Sequence, residues 1–365
     1  MLLLAACATT PPPPGPVATA RDVGGQLDDG SGQEAWAYCA YWMGDTWRVY
    51  DLGAFRRLLF FDLVAGADGS IADRHGWPER WEALRTRAAE ARVPVEPVVS
   101  VLGKPAFTAL FSNAAARARL ASEIVSLARD AGGVHLDVEV FESVGRAELD
   151  GFRAFLVELR AALDRAPRKV LTAFVPTASG IYSAKDLVLF DAVIVQGYDV
   201  HWRDAPNAGA VAALDAKSPA AWRPAGEALV RQGVSPRRIV FSTPLYGYEW
   251  PTVSGEAGAA TRGSAAILTY APVPATLLPD LRLDALSRAA QFGLRRDTGS
   301  GAPWYAFRDE QGWRQGWFDD PASLAPRLDF VRAANYRGVA LFVLGYDGGA
   351  LLEAIGAAFR GGSGR

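Results

Sequence analysis

The chain has 365 residues, of which 38 are Lys or Arg and 40 are Asp or Glu, so its formal net charge is -2. The hydrophobic fraction of 50% is typical of a globular protein with a large core. A near-neutral charge without a dense Lys/Arg stripe excludes nucleic acid as an expected partner. No run of about 18 apolar residues is free of charges, so the sequence predicts no membrane-spanning helix.

The first seven residues, MLLLAAC, resemble the end of a bacterial lipoprotein signal, in which the cysteine after Leu4-Ala5-Ala6 carries the lipid. We therefore expect a lipid anchor at Cys7. Ala8 then favours a cell-envelope lipoprotein sorted to the outer membrane. Seven residues are too few for a complete signal peptide, so we expect the true start codon to lie upstream. Cys39 is predicted to be a buried thiol that forms no disulfide with Cys7.

Strand-like apolar runs alternate with helix-like runs between residues 35 and 360, after a Pro/Gly-rich linker at 8–34 and before a short tail at 361–365. This alternation is typical of parallel strands joined by crossover helices, and eight strands would close a (β/α)8 TIM barrel of the α/β class. The strands are predicted at Trp36–Trp42, Leu58–Val64, Val93–Leu102, Gly133–Val140, Lys169–Pro176, Ala192–Asp199, Arg238–Gly247 and Gly338–Tyr346. Helices are predicted at Pro78–Ala91, Ala114–Ala131, Arg146–Ala166, Ala220–Gln232 and Pro321–Asn335.

The connection between the seventh and eighth strands, residues 249–320, is far longer than the usual connection of roughly two to six residues. It is predicted to be a small α+β insertion. Trp304–Phe307 and Trp313–Phe318 flank a short polar turn and are predicted to form a β-hairpin. We expect the insertion to form a wall beside the mouth of the barrel and so create a cleft.

The fourth predicted strand reads Gly-Val-His-Leu-Asp-Val-Glu-Val over residues 133–140. Because side chains alternate faces along a strand, His135, Asp137 and Glu139 share the side that faces the barrel interior. Burying two carboxylates and an imidazole is costly unless they are paired or perform a task. The strand therefore indicates either a structural polar network or a catalytic centre.

Polar and aromatic residues also follow other predicted strands at the carboxyl end of the barrel, where barrel enzymes place their sites. Tyr198 and Asp199 emerge there from the sixth strand. Flat aromatic rings at a cleft suit sugar faces, with packing against the insertion as the alternative. The candidate substrate-binding residues on these grounds are His135, Gln196, Trp202, Tyr246, Trp250 and Tyr41.

The fourth-strand segment resembles the Asp-x-x-Asp-x-Asp-x-Glu signature of glycoside hydrolase family 18, the chitinase-like family, with Glu139 at its acid position. Tyr198-Asp199 is similar to the Met-x-Tyr-Asp motif of that family. The segment 244–250, Pro-Leu-Tyr-Gly-Tyr-Glu-Trp, resembles its spore-cortex peptidoglycan hydrolase branch, and Gly338–Asp347 resembles its closing strand. The resemblance covers about residues 35–355.

This resemblance implies retaining, substrate-assisted hydrolysis of a β-linked glycan that contains N-acetylglucosamine, either peptidoglycan or chitin, without a metal or another cofactor. It implies that Glu139 is the general acid and base and that Asp137 holds the acetamide N–H. Tyr198 would bind the acetamide oxygen, with Asp199 near the same group. We also expect the proximity of Asp137 to raise the pKa of Glu139.

Three positions depart from the family pattern. The two outer acids of the signature fall on Gly132 and His135, and an imidazolium at His135 would hold Asp137 as an anion. The tryptophan that lies under the sugar in this family falls on Phe342, which would stack with less area. The third-strand Ser-x-Gly-Gly pattern is present only as Ser100-Val101-Leu102-Gly103. These departures favour peptidoglycan over a processive chitinase.

Two other functions fit the sequence. His135, Asp137 and the distant His201 would make a metal-binding triad of two histidines and one carboxylate. Alternatively, the protein is a non-catalytic glycan-binding lipoprotein on the same scaffold. His75 is expected to be a solvated surface histidine, and the chain is expected to be a monomer.

Overall fold

The computed structural model describes residue 27 and residues 32–165, 167–274 and 281–360. Its strands are β1 (Glu34–Ala40), β2 (Arg57–Ala65), β3 (Ile71–Asp73), β4 (Val95–Leu102), β5 (Gly133–Glu139), β6 (Val170–Val175), β7 (Ala192–Val195), β8 (Ile239–Pro244), β9 (Tyr246–Thr252), β10 (Ala266–Thr269), β11 (Leu283–Asp284), β12 (Arg295–Arg296), β13 (Pro303–Asp309), β14 (Gly312–Trp317) and β15 (Gly338–Phe342). Its α-helices are α1 (Glu82–Glu90), α2 (Lys104–Phe111), α3 (Ala114–Ala131), α4 (Arg146–Leu163), α5 (Ala184–Leu187), α6 (Trp222–Arg231), α7 (Ala285–Phe292), α8 (Pro321–Ala333) and α9 (Ala350–Arg360).

A closed parallel barrel forms the centre of the fold. Its strands follow the order β1, β15, β8, β7, β6, β5, β4 and β2, and the pairing of β2 with β1 closes the ring. The short β3 adds to β2 in the antiparallel direction. The predicted eight-stranded TIM barrel is therefore confirmed.

The predicted strands differ from the observed strands mainly at their carboxyl ends. The first was predicted to reach Trp42, but Tyr41 begins a 3-10 helix that runs to Val49. The sixth ends at Val195 and not at Asp199, so the candidate residues after it lie on a loop. The seventh ends at Pro244, where Leu245 separates β8 from β9.

The insertion between the last two barrel strands forms a second sheet in the order β11, β10, β9, β14, β13 and β12. The predicted hairpin is confirmed as the antiparallel pair β13 and β14. The sheet begins at Tyr246, three residues before the predicted start of the insertion at residue 249. Tyr246 therefore belongs to the wall and not to the barrel.

The junction of α3 and β5 sets the position of the fourth barrel strand. The side chain of Asn113 accepts hydrogen bonds from the first turn of α3, and the helix ends at Gly132, whose φ of +82° is left-handed. The next residue, Gly133, starts β5 against the carboxyl of Glu96, with no room for a Cβ. Gly132, the position of the outermost acid of the family signature, is thus a helix cap.

The N-terminal and C-terminal predictions lie mostly outside the described residues. Cys7, the tail 361–365 and the linker 8–34, apart from residues 27 and 32–34, are not described. Glu34, predicted to end the linker, is the first residue of β1. Cys39 is buried and unpaired, and no described helix is long and apolar enough to cross a membrane.

Candidate active site

The carboxyl groups of Asp137 and Glu139 meet at the end of β5 inside the barrel. Asp137 is 4% exposed and shares a hydrogen bond with Glu139. Its partners in register are Ser100 on β4 and Phe174 on β6. Oδ1 of Asp137 is buried without a hydrogen-bond partner in the described part of the chain. This carboxyl can therefore accept a hydrogen bond from a bound ligand.

Both carboxyl groups have raised proton affinity. Burial raises the pKa of Asp137, and the neighbouring Glu139 and Asp62 carboxyls raise it further. Burial also raises the pKa of Glu139 to about 7; the hydrogen bond with Asp137 lowers it, and the charge of Asp199 raises it. The raised pKa of Glu139 was expected from its proximity to Asp137, but burial is the main cause. The pair therefore holds a proton near neutral pH.

The ring of His135 lies two residues before Asp137 and is fully buried. Its Nε2 lies 3.1 Å from the phenol oxygen of Tyr38, and its Nδ1 lies 2.8 Å from Oγ1 of Thr172. Burial lowers the pKa of His135 to about 3, so the ring is neutral at physiological pH. A neutral ring at His135 does not hold Asp137 as an anion in the way that an imidazolium would. With both nitrogens engaged in the core, His135 is a structural link and does not face the cleft.

Asp199 connects the barrel to the inserted sheet. Its Oδ1 accepts hydrogen bonds of 3.1 Å from Tyr246 and 3.3 Å from Tyr248, both on β9. Burial raises the pKa of Asp199 to about 6 against the opposing effect of these two phenols. Its backbone is left-handed, with a φ of +63°, a conformation that Asp tolerates better than most residues. The sequence predicted that Tyr198 and Asp199 emerge at the mouth, and the loop after β7 places them there.

Aromatic rings form a layer beside the carboxyl pair. Phe342 stacks on Tyr198 with ring centroids 6.1 Å apart, and it meets the rings of Tyr38 and Phe61 edge-on at 5.3 Å and 5.6 Å. Tyr198 also stacks on Phe174 at 6.2 Å. Phe342 was expected to lie under the sugar. In the structure it stacks directly on Tyr198, the candidate acetamide-binding residue.

Three predicted substrate-binding residues follow the carboxyl ends of barrel strands: Trp202, Tyr41 and Gln196. Trp202 is 48% exposed. Tyr41 is half-buried, and its ring stacks on His75 at 3.5 Å. Gln196 is buried, and its Oε1 accepts a hydrogen bond of 3.2 Å from the backbone N–H of Thr177. Trp202 therefore offers an exposed ring to a ligand, whereas Tyr41 and Gln196 are largely covered.

Trp250 does not line the cleft. It is 0% exposed, and its Nε1 donates a hydrogen bond of 3.1 Å to the backbone carbonyl of Arg203. Its ring packs against Tyr248 within the inserted sheet. The predicted glycan contact at Trp250 is therefore wrong, because its side chain is buried against the loop after β7 and the ring of Tyr248.

The expectation of a solvated His75 is also wrong. Its side chain is only 16% exposed, and its Nδ1 lies 2.8 Å from the backbone oxygen of Asp62 and 3.5 Å from Oδ1 of the same residue. Stacking on Tyr41 covers one face of the ring. His75 is thus part of the wall of the barrel mouth.

Sequence reasoning missed Asp62, a buried acid on β2. Its Oδ2 accepts a hydrogen bond from Oγ of Ser100, the residue that pairs in register with Asp137. The available signal was a single acid inside the apolar run Leu58–Val64. An unpaired charge there is as costly to bury as those on β5 and indicates the same kind of site.

The residues of the predicted metal triad are not brought together. Nδ1 of His201 lies 2.8 Å from the carbonyl oxygen of Ala210, on the loop after β7, while both nitrogens of His135 face hydroxyl groups. Within residues 32–165, 167–274 and 281–360, no group of three His, Cys, Asp or Glu side chains is arranged to hold a metal ion. The geometry therefore contradicts a site built from His135, Asp137 and His201.

A sequence profile described as glycosyl hydrolases family 18 matches residues 67–347, more than half of the chain. The chain belongs to glycosyl hydrolase family 18. Its barrel is therefore a glycoside hydrolase domain of this family, as the strand signature predicted.

The chain is similar in sequence to the cortical fragment-lytic enzyme of Bacillus subtilis (strain 168), with 24% identity over 255 residues. The match covers 65% of this chain and 52% of that enzyme, so the chain spans about half the length of the curated relatives it matches.

Two solved structures have folds similar to that of this chain. The family GH18 chitinase of Cycas revoluta, in complex with allosamidin, has a TM-score of 0.73 at 20% identity, covering 89% of this chain and 99% of that chain. The spore cortex-lytic enzyme SleL of Bacillus cereus has a TM-score of 0.69 at 18% identity, covering 90% of this chain and 75% of that chain. At these identities the comparison supports the TIM barrel.

Proposed function

We propose that this protein hydrolyses β-linked glycans that contain N-acetylglucosamine, with retention of configuration and with Glu139 as general acid and base. The observation that carries the proposal is the buried Asp137–Glu139 pair, which holds a proton near neutral pH at the carboxyl end of the barrel. Membership of glycosyl hydrolase family 18 supports it.

In the first step, Glu139 gives its proton to the glycosidic oxygen while the bond between that oxygen and the anomeric carbon breaks. The carbonyl oxygen of the acetamido group on the same sugar forms the new bond to the anomeric carbon. The product is a positively charged oxazolinium ring, and no enzyme nucleophile is needed. Because the single proton of the pair lies on Glu139 before the step, Asp137 is an anion. It accepts a hydrogen bond from the ring N–H through its unpartnered Oδ1 and stabilises the charge.

Tyr198 and Asp199 position the acetamido group for this attack. The phenol of Tyr198 donates a hydrogen bond to the acetamide oxygen, and the stack with Phe342 holds its ring in place. Asp199 binds near the same group and is itself held by the phenols of β9. In the second step, the Glu139 carboxylate removes a proton from water as the water oxygen attacks the anomeric carbon. The bond between that carbon and the acetamido oxygen breaks at the same time, which restores the acetamido group, the acid and the original configuration.

The required 2-acetamido group defines the substrate class. Cellulose and other plain glucans lack the internal nucleophile and should not be cleaved. We propose peptidoglycan as the polymer, with chitin as the alternative, because the curated relative is named as a cortical fragment-lytic enzyme. The ring at position 342 is phenylalanine and offers less stacking area than tryptophan, which also favours peptidoglycan over a processive chitinase.

The decisive experiment compares the purified chain with its Glu139→Gln variant on peptidoglycan, chitooligosaccharides and cellooligosaccharides. New reducing ends are identified by mass spectrometry, with and without EDTA. We expect EDTA-resistant cleavage of an acetamido-containing glycan and a loss of at least about 100-fold in the variant. Binding without cleavage by both proteins would instead show a non-catalytic glycan-binding protein, and cleavage that EDTA abolishes would show a metal-dependent enzyme.

The lipid anchor at Cys7 and an outer-membrane location are a separate part of the proposal. They are supported by the sequence Leu4-Ala5-Ala6-Cys7. Three acyl chains would hold a lipoprotein firmly, because one chain binds a bilayer only weakly. Mass spectrometry of the mature N-terminus and fractionation of a Cys7→Ser variant test this part, and size-exclusion chromatography tests the expected monomer.

A further inference from the structure

A shift in strand pairing turns Asp62 toward the barrel interior. The register between β2 and β4 changes between Phe60 and Leu63, and Asp62 lies within this irregular segment. Successive side chains of a regular strand point to opposite faces, but a bulge changes this alternation. Here Phe61 meets the interior ring of Phe342, and the next residue, Asp62, also reaches inward.

Ser100 lies on the strand between Asp62 and the carboxyl pair. It is fully buried on β4 and pairs in register with Asp137 on β5. Its hydroxyl group donates a hydrogen bond to Oδ2 of Asp62. Asp62 itself is 4% exposed. Two buried acids therefore approach each other from β2 and β5 across a single serine.

The surroundings of this cluster contain few groups that offset its negative charge. The groups that interact with Asp62 are Ser100, His75 and Asp73, and its charge in turn acts on Asp137. The groups that interact with Asp137 are Glu139, Asp62, Tyr38, Tyr182 and Tyr198. His75 is the only base in this set, and it lies 3.5 Å from Oδ1 of Asp62 on the side of the barrel mouth.

One acid position of the family signature on the fourth barrel strand is occupied here by the neutral His135. We propose that Asp62 is a positioning residue for the reaction: its carboxylate supplies from β2 the interior charge that keeps a proton on the Asp137–Glu139 pair until Glu139 delivers it. This assignment rests on the proposed hydrolase function. In this assignment the additional acid comes from β2, whereas the acids of the family signature lie on β5.

The test is the pH dependence of Asp62→Asn, which keeps the size of the side chain and an acceptor for Ser100. Loss of the negative charge lowers the pKa of the Asp137–Glu139 pair, so the general acid loses its proton at lower pH. We expect the alkaline limb of kcat to move down by about one pH unit. KM should change less than about threefold, because the effect is on proton delivery.

Asp68→Asn, in the exposed turn after β2, is the matched control and should leave the profile unchanged. Ser100→Ala provides a second variant should Asp62→Asn fail to fold. The hydrogen bond from Ser100 lowers the pKa of Asp62, so its loss favours the protonated, uncharged acid and moves the alkaline limb in the same direction. NMR titration of labelled carboxyl groups measures the same shift without turnover.

The outcomes separate the two proposals. Hydrolysis by the wild type with an unshifted limb in folded Asp62→Asn and Ser100→Ala would overturn the role of Asp62 and leave the proposed function in place. No hydrolysis by the wild type would overturn both. A shifted limb in the kinetic profile, matched by a shifted carboxyl titration, would establish the assignment.

Discussion

The phenol of Tyr246 donates a hydrogen bond of 3.1 Å to Oδ1 of Asp199, and this contact ties the first strand of the inserted sheet to the loop after β7. The insertion therefore does more than border the cleft. It holds an acid of the candidate site in place, and its hydrogen bonds lower the pKa of Asp199 against the larger effect of burial.

Tyr246→Phe should raise the pKa of Asp199 above its value of about 6, because the variant removes a hydrogen bond that lowers it. If the ionised Asp199 is the active form, the acidic limb of kcat/KM moves to higher pH, by up to about one unit. The measurement is a pH profile on the cleaved glycan. Tyr336→Phe, a phenol packed against Phe241 away from the carboxyl pair, serves as the control. An unchanged acidic limb in Tyr246→Phe would contradict this role.

Glu139→Gln should weaken the pH dependence of stability. The folded state raises the pKa of Glu139 to about 7, so it binds more protons than the unfolded chain between about pH 4.5 and pH 7, and the free energy of unfolding falls as pH rises through this range. This contribution amounts to up to about 3 kcal/mol. Urea unfolding at pH 5 and pH 8 should show a smaller difference in the variant.

Glu227→Gln is the control for that experiment, since Glu227 is half-exposed on α6 and pairs only loosely with Arg231. It should keep the wild-type difference between the two pH values. The explanation fails should Glu139→Gln retain the full difference as well.

Gly132→Ala should destabilise the protein by about 1 kcal/mol, because the residue caps α3 with a φ of +82°. The effect is measured as a lower midpoint of thermal or urea unfolding. Gly180→Ala is the matched control: a Cβ there meets no atom within 4 Å, and its backbone is not left-handed. Equal stability of the two variants would show that the cap carries no strain.

Trp202→Ala should raise KM by about three- to tenfold with little change in kcat, because an exposed ring at the mouth contributes stacking that is equal in the ground and transition states. Steady-state kinetics on the cleaved glycan provide the measurement. Val157→Ala, on the outer face of α4 and similarly exposed, should leave KM unchanged. A fall in kcat alone would contradict a purely binding role for Trp202.

The alternation of strand-like and helix-like runs was sufficient to predict the barrel, because each βα unit carries its own local pattern. The same local rule predicted that His135, Asp137 and Glu139 share one face, since side chains alternate along a strand. The bounds of α3 were predicted residue for residue from apolar residues at three-to-four spacing, and in the structure Asn113 and Gly132 cap its ends. Membership of family 18 was likewise evident from short motifs in chain order.

Charge states and the final composition of the site depended on contacts that are distant in sequence. The neutral state of His135 follows from its burial between Tyr38 and Thr172. The burial of Trp250 follows from its contact with the loop after β7. Asp62 contacts Ser100 beside the carboxyl pair where β2 and β4 lose their regular register. The sequence alone determined that β5 turns Asp137 and Glu139 inward, because the alternation of side chains along a strand is local. The tertiary structure decided that Asp62 lies near them, because desolvation and strand register depend on neighbours that only folding brings together.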